Sequence, residues 1–256
     1  MLLTIDVGNT ESKLGLFAPG AAEPEQIWRV TTEVRRTADE YGVFFAQLFA
    51  TTGVEMRAVD AVAIASVVPR LDPVLTATCE RFFKASPRFL RGNLQTLIPV
   101  LTDRPSEAGA DLIAAAIGGR ARHGAPLIVA SYGTATVFIA VSPSGEYLGG
   151  AIAPGINTSL EALIARTAKL PQVDLDAEPE QAIGRNTVAA LQSGLVFGYA
   201  GQTEAIVARM KRELGGTATV VGTGGLAEIV AKHTSVIEAV EPHLSLQGLA
   251  LFALSS

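Results

Sequence analysis

The opening stretch MLLTIDVGNTESKLGLF constrains the fold more than any other part of the chain. Leu2, Leu3, Thr4 and Ile5 are the apolar and β-branched residues of a buried strand. Asp6 closes that strand, Gly8 and Asn9 are turn residues, and residues 13–17 open a second strand. The pattern is a β-hairpin whose tip sets one carboxylate beside several backbone N–H groups. Gly8 lets a large anion approach the main chain, Thr10 adds a hydroxyl donor, Lys13 adds a positive charge, and Asp6 can hold a cation. A phosphate with its metal asks for those groups. An ordinary hairpin with Asp6 capping its own turn has the same spelling.

A chain of 256 residues suits one large domain or two halves of ordinary size. Hydrophobic residues make up 48% of it, which predicts a substantial core, yet no apolar run approaches a membrane span. The net charge of −5, without a basic stripe, argues against nucleic acid as the main ligand. Cys79 is the single cysteine, so an intrachain disulfide and a thiolate metal cluster are excluded. His123, His233 and His243 have spacings that suit no metal site. The N-terminus enters a strand directly, without a signal-peptide pattern, and the expectation is a soluble, cytoplasmic α/β protein.

Further along, residues 27–30 continue as a third strand, and Thr37 with Glu40 has capping-box spacing before an apolar stripe of Tyr41, Phe44, Phe45, Leu48 and Phe49. Residues 61–66 read as a buried strand and 71–84 as a helix. Short strands are expected near 88–90 and 97–101, and an Ala- and Gly-rich helix over 109–122. The opening pattern then returns: strand 127–130, a turn over 131–136, strand 137–141 and a third strand over 147–152. Two strand–turn–strand units, each followed by helices, suggest an internal duplication. The halves are residues 1–118 and 119–256, with a ligand cleft expected between them. Helices are expected near 158–168 and from 187 to 214, the latter interrupted near its glycines at 194–201. A strand at 219–221 runs through Gly222, Gly224 and Gly225 into a helix, followed by a short strand at 236–239 and a closing helix over 247–254.

Several spellings occur in order: Asp6-x-Gly-Asn-Thr, Thr37-Ala38-Asp39-Glu40-Tyr41, Ser66-Val67-Val68-Pro69, Gly109-Ala110-Asp111, Gly133-Thr134-Ala135-Thr136, Gly184-Arg185-Asn186-Thr187 and Leu246-Gln247-Gly248-Leu249. Together they resemble type III pantothenate kinase over nearly the full length. The resemblance implies two RNase H-like halves of the actin/sugar kinase superfamily, each a mixed β-sheet flanked by helices. It implies ATP-dependent phosphorylation of the primary hydroxyl of pantothenate, the first step toward coenzyme A. Mg²⁺ on ATP, a monovalent cation (K⁺ or NH₄⁺) and a homodimer are also implied, with no role for nucleic acid or membrane.

By the same resemblance Asp6 belongs to the phosphate and metal site, and Asp111 is the base that receives the proton of the attacking hydroxyl. Gly8, Asn9, Thr10, Lys13, Gly133, Thr134, Gly222 and Gly224 are expected on the ATP side. Gly109, Ala110, Asp111, Leu112 and Thr187 are expected on the pantothenate side. Two positions depart from the family's spelling: Leu112 stands where an arginine is common, and Ser131 where an aspartate begins the second hairpin. Leucine cannot clamp a carboxylate, and a hydroxyl ligates a cation without charge. The departures leave open a weak or inactive relative acting as a binding protein, or a kinase for another small hydroxylated acid.

Overall fold

The computed structural model describes residues 1–92, 97–167, 169–175 and 179–255, and these form two compact units. The first comprises Met1–Arg122 together with the C-terminal segment from Leu244, and the second is His123–His243.

In the first unit β1 (Leu2–Val7), β2 (Glu11–Phe17) and β3 (Gln26–Thr31) form an antiparallel meander. Helix α1 (Ala38–Ala50) follows. Thr37 accepts from the Glu40 amide, and the Glu40 side chain accepts from the Thr37 amide. That reciprocal cap stabilises a helix start by about 1 kcal/mol. Tyr41, Phe45 and Phe49 share the buried face of α1, and Trp28 stacks on Phe49 with ring centroids 5.2 Å apart. Strand β4 (Ala61–Ser66) pairs parallel to β1, which α1 makes possible as the crossover.

The helix expected over 71–84 is a composite. A 3₁₀ turn leads into α2 (Asp72–Thr78), a π segment follows over Cys79–Phe83, and Lys84 ends it in the left-handed region. β5 (Arg88–Phe89) completes a sheet of order β3-β2-β1-β4-β5. Residues 97–101 form no strand. Helix α3 (Ala110–His123) then buries Ile113, Ala114 and Ile117.

The second unit repeats this plan. β6 (Leu127–Tyr132), β7 (Ala135–Val141) and β8 (Tyr147–Pro154) are antiparallel neighbours. After α4 (Ile156–Ala165) and α5 (Thr187–Glu213), β9 (Thr219–Thr223) pairs parallel to β6. Helix α6 (Ala227–Ala231) leads to β10 (Ala239–Val240), parallel to β9. The order β10-β9-β6-β7-β8 is that of the first sheet, strand for strand. Helix α5 is continuous through Gly194, Gly198 and Gly201, contrary to the expected interruption. Its buried face, with Gln192, Val196, Ala200, Thr203 and Val207, outweighs the glycines' poor helix propensity.

Helix α7 (Leu244–Leu254) begins three residues earlier than expected and packs on β1, β2 and β4 of the first unit. The expected division at 118/119 puts it in the second half. Its buried Leu246 and Ala250 instead join Phe17 beneath the first sheet.

Candidate active site

Asp6 lies one residue inside the C-terminal end of β1, directly opposite Lys13 on β2. Opposed residues of an antiparallel pair share a face of the sheet, so the carboxylate and the ammonium project together. Lys13 forms no ion pair among the described residues, and its charge acts on both Asp6 and Asp111. The turn between the strands is held from inside. Thr32 Oγ1 donates to the Gly8 carbonyl at 2.7 Å and shares a 2.8 Å hydrogen bond with Ser12 Oγ. A Cβ on Gly8 would stand 2.7 Å from the Glu11 carbonyl oxygen, so hairpin closure already demands glycine there. Asn9 and Thr10 are exposed at the tip.

Asp111 sits in the first turn of α3, in the same unit, and the two carboxylates lie close enough to influence one another. Burial first, and then the charge of Asp6, push its pKa from 3.8 up to about 6. The backbone amides of Leu112 and of Asp111 itself, and the more distant Lys13, pull it back in part. Its Oδ1 is out of solvent and has no hydrogen-bond partner among the described residues. Gly109 makes room for this carboxylate, since a Cβ there would stand 2.6 Å from Asp111 Oδ1. Ala110 is buried and Leu112 is half-buried beside it. Burial also raises the pKa of Asp6, against a hydrogen bond from Ser245 and the charge of Lys13, with Glu11 adding to the rise.

A pair of carboxylates ringed by protein, one with an orphaned oxygen, suits a hard divalent cation that shares its remaining ligands with phosphate oxygens. Among the described residues no cluster of three or more His, Cys, Asp or Glu side chains forms a self-sufficient metal site.

The other expected site residues belong to the second unit. Ser131 and Thr136 lie within strands, and the turn between β6 and β7 is only Gly133-Thr134. Thr136 is fully buried. Gly133 is open on its Cβ side, with only the Ala135 carbonyl within 3.8 Å. Gly155, the N-cap of α4, donates to the Thr134 carbonyl at 3.0 Å, and the Thr158 hydroxyl donates to the same oxygen at 2.7 Å. These two residues brace the turn.

Gly222 lies inside β9, where a Cβ would meet Ile237 and Ala227 at 3.3 and 3.5 Å. Its lack of a side chain leaves room for that packing. Gly224 has φ +94°, and a side chain there would meet the Tyr132 carbonyl oxygen at 2.5 Å. Both conditions favour glycine at the strand-to-helix turn. Thr187 is the exposed first residue of α5. The cap itself is Asn186, whose side chain accepts from the Ala189 amide at 2.9 Å.

Two mixed five-stranded sheets of one strand order, each with an antiparallel meander whose first turn is glycine-rich, define the actin/sugar-kinase class of fold. The structure of an inorganic polyphosphate/ATP-glucomannokinase from Arthrobacter sp. strain KM aligns with a TM-score of 0.51, over 98% of this chain and 96% of that one. At 15% identity that likeness is one of fold.

The family model for type III pantothenate kinase matches residues 2–209. The type III pantothenate kinase of Myxococcus xanthus is 48% identical over 251 residues, 98% of this chain and 97% of its own length. That of Roseiflexus castenholzii is 46% identical over the same span. The chain belongs to the type III pantothenate kinase family. No helix among the described residues is long and apolar enough to cross a membrane.

Proposed function

We propose that this protein phosphorylates the primary hydroxyl of pantothenate with ATP, giving 4'-phosphopantothenate and ADP, the entry step to coenzyme A. The observation that carries the reading is the coupled pair Asp6 and Asp111, set on a chain that matches the family over nearly its whole length. Phosphoryl transfer asks a protein chiefly for positioning and charge neutralisation, and for a base within reach of the nucleophile.

Asp111 is the base. With a pKa of about 6 it is ionised at neutral pH yet basic enough to take the hydroxyl proton as the oxygen bonds to the γ-phosphorus. The bond from the γ-phosphorus to the bridging oxygen breaks, and that oxygen leaves on ADP. Asp6 would hold the divalent cation that accompanies ATP, and that cation would supply neutralisation of phosphate charge. Lys13, the cation that both carboxylates feel, faces the transferring phosphoryl group. Gly8, Asn9 and Thr10 on the first hairpin, and Gly133 and Thr134 on the second, offer backbone and hydroxyl donors to phosphate. Thr187 and the segment Gly109–Leu112 contact pantothenate. Ser131 would offer K⁺ or NH₄⁺ a neutral oxygen, and so a weak site. The protein works in the cytoplasm as a homodimer.

Leu112 gives a second reading its motive, since an apolar wall suits a hydroxylated acid other than pantothenate. A coupled ADP-release assay over a panel of hydroxylated acids separates the two. The proposal expects pantothenate to be the best substrate, with a requirement for Mg²⁺. A different preferred acid would establish the second reading, and no turnover with any of them would refute both.

A further inference from the structure

Ser245 lies in the first turn of α7, 239 residues from Asp6, and its Oγ donates to Asp6 Oδ2 at 2.6 Å. It is the hydrogen-bond partner of that carboxylate among the described residues. The bond occupies Oδ2 and leaves Oδ1 to a ligand. A serine at a helix start ordinarily accepts from an amide of its own first turn; this one donates to a strand residue instead.

The helix does not need the serine to stay in place. Leu244, Leu246, Leu249 and Phe252 are buried, and α7 lies against α3 at backbone contact. A Cβ on Gly248 would overlap the Ala114 carbonyl, and one on Gly118 would overlap the Leu244 carbonyl. The same helix that carries Ser245 to Asp6 therefore also sets the position of α3, which bears Asp111.

We infer that Ser245 is a positioning residue, acting through Asp6 to hold the carboxylate for a divalent cation bound with a nucleotide. The inference rests on the kinase reading above. A fixed donor on one carboxylate oxygen restricts rotation of the group, and outer partners of this kind typically change metal affinity by ten-fold or more.

The test is calorimetric titration of the full chain, of Ser245→Ala and of Ser245→Thr with ADP, once with saturating Mg²⁺ and once with a chelator. Ser245→Ala is expected to weaken Mg·ADP binding on the order of ten-fold and to leave metal-free ADP unchanged. Ser245→Thr, which keeps the hydroxyl, restores the affinity for Mg·ADP. Equal losses with and without metal, no loss at all, or no restoration by threonine would overturn the inference. So would an alanine variant that does not fold, because the serine would then be structural. Failure of the unaltered chain to bind Mg·ADP would instead strike at the kinase reading itself.

Discussion

Replacing Asp111 by asparagine should make the protein more stable while it removes turnover. Burial and the neighbouring Asp6 raise this carboxyl from 3.8 to about 6, so the folded state favours its protonated form. Below the unfolded value both states carry the proton and no penalty exists. Between the unfolded and the folded value the unfolded chain ionises while the native state keeps its proton, and stability falls. Above the folded value the loss is complete, and the shift of 6 − 3.8 converts to roughly 3 kcal/mol. Near pH ~4.5 the same relation leaves only about 1 kcal/mol.

Asparagine has nearly the shape of the protonated acid and no charge to bury. Thermal unfolding of Asp111→Asn should therefore exceed that of the unaltered chain by about 6–12 °C near pH ~7.5, with a gap about one third as large near pH ~4.5. Equal gaps at the two pH values, or a variant less stable at the higher one, would refute the argument that burial and Asp6 hold this group above its ordinary range.

Other outcomes follow from the same geometry. If Asp111 takes the substrate proton, kcat/KM for pantothenate should fall ten-fold per pH unit below about 6, and a flat profile there would remove it as the base. Ser131→Asp should strengthen activation by K⁺ about ten-fold, read from initial rates against K⁺ concentration; an unchanged response would show that the serine does not limit cation binding. Gly248→Ala should lower stability by about 1–3 kcal/mol in urea unfolding, because its methyl group meets the Ala114 carbonyl, and an unaltered midpoint would contradict the backbone contact of α3 and α7.

Local chemistry was legible in the sequence and long-range chemistry was not. Strand β4 has the bounds that its run of small apolar residues predicts, and the Thr37–Glu40 cap forms as its spacing implies. Both features depend on neighbours a few residues apart. The second hairpin turn is shorter than expected because Ser131 and Ala135 are drawn into strand pairing with Val137 and Pro154. Glycines at 194, 198 and 201 look like breakers, yet packing of the opposite face of α5 carries the helix through them. Ser245 gave no signal at all, since its role arises only when the last helix returns to the first strand. Asp6, Lys13 and Asp111 stand out in the sequence as candidates. Their mutual electrostatic effect, and the packing role of Gly222, required the three-dimensional arrangement.

The most direct test of the central claim is to incubate the purified chain with pantothenate and Mg·ATP and to follow the vitamin by mass spectrometry, with Asp111→Asn as the parallel sample. Pantothenate should gain one phosphoryl group in step with ADP formation, and the variant should make almost none. Unchanged pantothenate in the first sample, or equal conversion in both, would contradict that claim.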